Sequence, residues 1–376
     1  MALIPKRRTA ENATTPAPPS REQGPPENPQ PTGEDKVDII GIDIGFGFTK
    51  AAKANETVLF KSILGEATEI QYTEDILGQE PVEDHLHVEI DGVSHFIGEL
   101  AERQSNTRFF TLDQGQFVSQ FARPLAMTAL ARLGSSHIPI NLVTGLPIGH
   151  YRQHKDAFAK LLLGNHTVTL LDRDGTRQER TIKVNKVRVV PQPFGSLFNM
   201  MLSDTGQVTD RRLLKEKIGV IDIGFRTSDY TISDKMRYSE RGSRTTESGI
   251  ARAFNIIATK LREKSGINVE LYRLYDAVAQ GSIKIRGEKI DLSKLVEQVF
   301  GQLATAVANE VDRLWADDWD MDAIAITGGG GAVLAPYLKP LLTGEILSAE
   351  QTEDARFNNV NGYWKYGRYQ WKDIAS

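Results

Sequence analysis

Residues 41–50 read GIDIGFGFTK, and the centre of that stretch, D-I-G-F, returns at 222–225 within GVIDIGFRTSDYT (residues 219–231). Each copy follows a short apolar run, IIGI before Asp43 and IGVI before Asp222. An apolar strand that ends in Asp, with Gly two residues later, turns tightly and lets its backbone come close to a ligand. The turn's N–H groups then face outward, where a phosphate can accept from them. A carboxylate beside phosphates is repulsive unless Mg²⁺ or its waters lie between. The first copy adds Gly45, Gly47, Thr49 and Lys50 to Asp43; the second adds Gly224, Arg226, Thr227 and Asp229 to Asp222. Two such turns facing each other make a clamp for a polyphosphate. The plainer alternative is two ordinary β-hairpins with Asp-Gly turn chemistry.

The rest of the chain sets bounds. At 376 residues it is long enough for two domains, and 40% hydrophobic residues give each a core. The net charge of −4 supplies no basic field for gripping nucleic acid, so direct nucleic-acid binding is not expected. With no cysteine, disulfides, thiolate catalysis and zinc-thiolate sites are excluded. The basic KRR near the start has no apolar run behind it, and no apolar run reaches the roughly 18–20 residues of a membrane span. These features predict a cytoplasmic protein with no membrane insertion.

Residues 1–36 carry half of the 16 prolines and no aromatic residue, which predicts a disordered tail or a docking peptide. From Val37 onward the pattern predicts strands at VDIIGIDIG, FTKAAKA, ETVLFKSIL and HLHVEIDGVSHFIGELA, with turns at Gly92 and Gly98. Helices follow at QFARPLAMTALARLG, capped by Gly134, and at IGHYRQHKDAFAKLLLG, ending at Gly164, on either side of the strand INLVTGLP. A hairpin turning at Asp174-Gly175, a further strand and a helix from PFGSLF close the first half. The second half restarts at KIGVIDIG and continues with two long amphipathic helices. ITGGGGAV (residues 326–333) reads as strand, glycine loop and helix. Its Gly328, Gly329, Gly330 and Gly331 suit an anionic or flat ligand at a helix N-terminus, or a flexible connection. The loop is neither a Walker loop, lacking G-K-[ST], nor G-x-G-x-x-G.

The order of D-x-G hairpin, second D-x-G hairpin and T-G-G-G-G before a helix resembles the actin, sugar-kinase and DnaK-chaperone superfamily. Within it, VDIIGIDIGFGFTKAA, HFIGELA, LVTGLPIGHYRQHKDAFAKLLLGNHTV, VVPQPFGSLF, GVIDIGFRTSDYTI and ARFNNVNGYWKYG are similar to the ParM-type bacterial and archaeal actin-like ATPases. The resemblance implies an α/β, actin-like ATPase fold. Two duplicated ribonuclease-H-like domains, with mixed sheets flanked by helices, would face a nucleotide cleft. The expected parts are the tail 1–36, domain I at 37–205, domain II at 206–355, and a C-terminal segment 356–376 packing back on domain I.

The resemblance also implies roles. Asp43 and Asp222 stand where the family places carboxylates around hydrated Mg²⁺, and Lys50 where it contacts phosphate. Gln192, in VVPQPFG, matches the residue that positions the attacking water. A glutamine orients water but takes no proton, so turnover would be slow. Gly328–Gly331 match the nucleotide loop. Phe225 replaces a second acid found in eukaryotic actin, a loss for which Asp229 is the candidate compensation, and Phe46 is bulkier than the usual small polar residue. ATP or ADP with Mg²⁺ are the implied cofactors. Self-assembly into a filament, with an adaptor protein joining it to plasmid DNA, is the implied use. Another cargo such as a magnetosome, a small-molecule kinase of the same fold and a non-polymerising scaffold are the alternatives.

Other features carry less. DDWDMD (317–322) lacks the Gly and Glu of a calcium loop and reads as a polar helix end. His85 and His87 have no third ligand and read as a solvated strand face. DRRLLKEK (210–217) reads as solvated surface. Trp315, Trp319, Trp364 and Trp371 are expected in the core or in subunit contacts.

Overall fold

A computed structural model describes residues 37–68, 85–110, 114–348 and 354–372. The proline-rich segment 1–36 lies outside the described residues. The first half runs β1 (Asp38–Ile44), β2 (Phe48–Lys53), β3 (Glu56–Lys61), β4 (Leu64–Glu66), β5 (Leu86–Ile90), β6 (Val93–Ile97), α1 (Glu99–Gln104) and β7 (Arg108–Phe109). A short turn, α2 (Gln114–Gln116), passes through a π turn at Phe117–Phe121 into α3 (Ala122–Leu133). It is followed by β8 (Ile140–Leu146), α4 (Ile148–Leu162), β9 (Gly164–Leu171), β10 (Arg177–Pro191) and α5 (Phe194–Met201).

The second half runs β11 (Lys217–Ile223), β12 (Ser228–Asp234), β13 (Arg237–Thr246), α6 (Ala251–Ser265), a 3₁₀ turn at Leu271–Arg273 and α7 (Leu274–Ala279). A small hairpin, β14 (Ser282–Ile285) and β15 (Glu288–Asp291), leads to α8 (Ser293–Leu314), β16 (Ala323–Thr327), α9 (Gly329–Leu338), β17 (Glu345–Ser348) and α10 (Asn358–Gln370).

The halves share one plan. The first sheet has the order β3-β2-β1-β8-β10-β9-β5-β6-β4-β7 and the second β13-β12-β11-β16-β17. In each, the strand that ends in D-I-G-F is antiparallel to the next strand and parallel to a later one: β1 lies between β2 and β8, and β11 between β12 and β16. Both faces of these central strands are covered: Ile40 and Ile42 enter the first core while Gly41 faces α10, and Ile221 enters the second core while Ile218 and Val220 pack toward α5, which is why IIGI and IGVI are continuous apolar runs instead of alternating ones. Both strands are buried almost throughout. Helix α3 packs on the first sheet and α6 and α8 cover the second, giving mixed-sheet α/β halves each with a core, and a third cluster around α5 and α10 joins the two sheets.

Helices α5 and α10 cross so closely that a Cβ on Gly362 would lie 1.7 Å from the Gly195 carbonyl oxygen. Helix α10 also packs on β1, where a Cβ on Gly41 would meet the Val360 carbonyl at 2.3 Å.

Local expectations differ in places. The helix α4 ends at Leu162, and Gly164 instead opens β9 at φ 110°. Gly134 does end α3, but in an extended conformation; it is needed because a Cβ would come 2.7 Å from the Leu130 carbonyl. The hairpin arm and the further strand after Gly175 form one 15-residue strand, β10, which keeps pairing through a bulge between Val184 and Lys186. In DDWDMD, Asp318 is buried and pairs with Lys217 at 2.8 Å and Arg241 at 2.5 Å, so the segment is a pinned turn. The tryptophans divide: Trp315 and Trp364 are buried, Trp371 is half-buried and Trp319 is 89% exposed.

Candidate functional site: a cavity between two like turns

The strands β1 and β11 deliver the two D-I-G-F turns to one cavity of about 540 Å³. Each turn is closed by the same hydrogen bond: Gly45 N–H donates to Phe48 O at 3.1 Å, and Gly224 N–H to Thr227 O at 2.9 Å. Gly45, Phe46 and Gly47 line the cavity from one half, and Gly224, Phe225, Arg226 and Thr227 from the other. The ends of β8 and β10 add Gly145, Leu146 and Gln192, and the start of α9 adds Gly329 and Gly330. No group of metal-ligating side chains occurs among the described residues.

The acids are held differently. Asp43 sits directly across from Lys50 in the β1–β2 ladder and forms an ion pair of 2.8 Å with it. Asp222 sits across from a second acid, Asp229, in the β11–β12 ladder. Asp222 Oδ2 accepts from Asn359 Nδ2 at 2.9 Å, while its buried Oδ1 has no partner among the described residues. A Cβ on Gly328 would lie 2.3 Å from that oxygen, so only a glycine fits beside it. Burial pushes the Asp222 carboxyl up to about 6; the Asn359 donor opposes this and the Asp43 charge adds to it.

Asp229 is also fully buried. Its Oδ1 accepts from Thr245 Oγ1 and from Ile148 N–H at 3.1 Å, the first amide of α4 in the other half. Gly149 N–H donates to Thr245 Oγ1 at 2.7 Å, so the second half caps a helix of the first. Burial raises the Asp229 carboxyl to about 7, with Thr245 pulling down and the Asp222 charge pushing up.

Of the other expected site residues, Lys50 and Gln192 reach the cavity. Gln192 is anchored by its backbone, its N–H donating to Leu146 O at 2.9 Å and its carbonyl accepting from Tyr363 Oη at 3.2 Å. Arg226 pairs with Glu247 at 2.7 Å, lies over the Phe46 ring and keeps a buried Nη1 without a partner among the described residues. Thr49 does not reach the cavity. It alternates with Lys50 along β2, is fully buried and pairs with Ser62 Oγ at 3.0 Å. Gly331 is buried inside α9 beside Ile326 and is not part of the lining.

Several residues at the site had no motif to mark them. Tyr275, from α7, crosses to the first turn: its ring lies 4.7 Å from that of Phe48, and a Cβ on Gly47 would meet its hydroxyl at 2.0 Å. Arg356 lies over Phe48 and lines the cavity. Ser196, Thr327 and Asn359 form a buried polar group behind Asp222, with Ser196 Oγ 2.7 Å from Asn359 Oδ1 and also bonded to Thr327 Oγ1. A pair of asparagines in front of an aromatic run was the available signal for Asn359, since amides in a packed helix need partners.

The arrangement suits an anionic ligand. Backbone amides, Lys50 and the unpartnered Nη1 of Arg226 offer donors to it, while Asp222 Oδ1 is a buried acceptor without a partner among the described residues that stands behind the cavity lining.

Residues 41–195 match the family model for the N-terminal domain of actin-like proteins, and residues 220–340 match that for the C-terminal domain of the MreB-like archaeal actin homologue. Among solved structures, the chain is similar to a non-polymerisable quadruple mutant of pCBH ParM. The TM-score is 0.74 and the identity 27%, covering 89% of this chain and 99% of that one. It is also similar to ParM in a 15-stranded filament from Clostridium botulinum, with TM-score 0.73, 26% identity and coverage of 89% and 99%. The archaeal actin homologue Ta0583 in complex with ADP gives TM-score 0.69 and 18% identity, with coverage of 87% and 98%. No curated protein matches the sequence. Two matched domains in this order, on halves whose central strands bring like turns to one cavity, give the chain an actin-like N-terminal domain and an MreB-like C-terminal domain on the actin-like fold.

Proposed function

We propose that this protein is an ATPase that binds ATP with Mg²⁺ between its halves and assembles into a nucleotide-dependent filament. The observation that carries the reading is the pair of facing D-I-G-F turns, with Asp222 Oδ1 left without a partner beside Gly328. The archaeal relative solved with ADP and the ParM relative solved as a filament support it.

Bound Mg²⁺-nucleotide supplies the phosphoryl group to be cleaved. The chain's own residues do the rest. Asp43 and Asp222 would hold the hydrated metal, and the amides of the two turns would donate to the phosphate oxygens. Lys50, already paired with Asp43, and Arg226 balance the anionic charge. Gln192 orients the attacking water without taking its proton, so turnover is slow and suits a timer. Asp229, with its Oδ1 committed to Thr245 and Ile148, acts on the metal carboxylate through its charge. Domain boundaries near residues 205 and 355, with α10 returning to the first half, complete the assignment.

The cargo we favour is plasmid DNA reached through an adaptor protein, because the net charge of −4 offers no basic field for DNA itself. A small-molecule kinase would call for a carboxylate base where Gln192 stands. The test is to mix protein with Mg²⁺ and ATP, ADP or a non-hydrolysable analogue, following light scattering and phosphate release together. Scattering that rises with ATP and decays as phosphate appears is the expected result. Phosphate release without scattering at any protein concentration would replace the filament with a monomeric switch.

A further inference from the structure

Behind Asp222 lies a chain of hydrogen bonds that joins four elements. Thr327 ends β16, Ser196 is on α5, Asn359 on α10 and Asp222 on β11. Their side chains are all buried, at 1%, 1%, 5% and 2% exposure. Ser196 Oγ has one proton, and Asn359 Oδ1, 2.7 Å away, can only accept it. The hydroxyl must therefore accept from Thr327 Oγ1. With its oxygen committed to Ser196, the Asn359 amide turns its Nδ2 to Asp222 Oδ2, 2.9 Å away. Every proton in the series points toward the carboxylate.

We propose that Asn359 is a positioning residue for Asp222, its amide fixed by the Thr327–Ser196 hydroxyl pair so that Oδ2 is held and Oδ1 alone is offered to the metal. The inference rests on the reading of Asp222 as a Mg²⁺ carboxylate. Three observations meet in it. The amide has one satisfied orientation, the opposite carboxylate oxygen has no partner, and only a glycine at 328 avoids a clash with that oxygen. A carboxylate free to rotate would present either oxygen and lose part of its affinity for the metal; partners of this kind are worth roughly 10–100-fold in metal binding. Since α5 belongs to the first half and β11 and β16 to the second, the metal oxygen is correctly set only while both halves and α10 are in contact.

The test uses the full chain and a fluorescent N-methylanthraniloyl derivative of ATP, titrated with Mg²⁺. The variants are Asn359→Ala, Ser196→Ala and the double variant, each checked by thermal melting in EDTA. The Mg²⁺ midpoint is expected to rise roughly tenfold in Asn359→Ala and severalfold in Ser196→Ala. The double variant is expected to match Asn359→Ala, because the serine acts only through the amide. Binding in EDTA should stay at the wild-type value in all three. If Asn359→Ala fails to melt cooperatively, Ser196→Ala and Asn359→Ser carry the same prediction. Wild-type midpoints in the folded variants, or losses that add in the double variant, would overturn the proposal. A wild-type protein whose nucleotide binding ignores Mg²⁺ would instead overturn the metal reading of Asp222 and remove the basis for this one.

Discussion

The two D-I-G-F turns have the same sequence, the same closing hydrogen bond and the same place in their sheets, yet the residue facing the aspartate differs. Across from Asp43 stands Lys50; across from Asp222 stands Asp229. The first carboxylate is neutralised from within its own hairpin. The second is buried, faces another acid and is raised to about 6, with the Asn359 amide as its side-chain partner. One duplicated backbone thus provides a balanced anchor on one side and an unbalanced one on the other. The turns also lean on different supports. The first is braced by Ser62, whose Oγ donates to Gly45 O at 2.6 Å, and by Tyr275 from the opposite half. The second is bound to the start of α6 through Ile250 N–H on Gly224 O and Ala251 N–H on Phe225 O.

The comparison breaks most visibly at Asp222. Asp222→Asn removes the unbalanced charge, and phosphate release in the presence of Mg²⁺ is expected to fall by about 10²-fold or more, measured by a continuous phosphate assay. Lys50→Met strips the balance from the first turn and leaves Asp43 buried without its cation. The expected cost is about 3 kcal/mol in denaturant unfolding, along with weaker nucleotide binding.

Asp229→Asn should relieve the second turn in a pH-dependent way. The folded-state value near 7 lies above the ordinary carboxylate range, so ionising Asp229 works against the fold. Its protonated form favours folding fully at low pH, and that contribution disappears as pH rises from about 4 through about 7. The nucleotide-free variant should therefore melt higher than wild type at pH 8, by the equivalent of about 2–4 kcal/mol, and no higher at pH 4. Equal gains at both pH values would show that charge is not the cause. Thr49→Val makes the smallest change. It should cost about 1 kcal/mol of stability through the lost bond to Ser62 and leave nucleotide affinity unaltered. A drop in affinity would return Thr49 to the cavity.

The repeat was legible because it sits in strands whose burial imposes a continuous apolar run and whose turns require Gly. That was enough to anticipate the paired mixed sheets; of the expected residues, Lys50, Gln192 and Gly329 line the cavity, while Asp43 and Asp222 are buried behind it at the ends of β1 and β11. Thr49 was misplaced because a motif read as a string ignores the alternation of a strand, which sends neighbours to opposite faces. Asp229 was seen only as a metal candidate; that it caps α4 depends on how the halves meet, which no local pattern encodes. Tyr275 and Asn359 come from segments far from any glycine turn, and only the folded chain brings them to the site.

The crossing of α5 and α10 has a mechanical consequence. At Gly195 and Gly362 two backbones touch with no side chain between them. Helices that interlock through large side chains resist turning, because knobs must leave their holes before the axes can rotate. Here the bare contact is ringed by side chains that do interlock: the Tyr363 ring packs over Gly195, Phe198 and Tyr366 stack at 4.2 Å, and Asn199 Nδ2 donates to Asn358 Oδ1 at 3.3 Å. The crossing is therefore a clamp, with backbone on backbone at its centre and locked side chains around it. Ser196 and Asn359 lie one and three residues from the centre, so the clamp fixes the spacing of the two side chains that stand behind the Asp222 carboxylate.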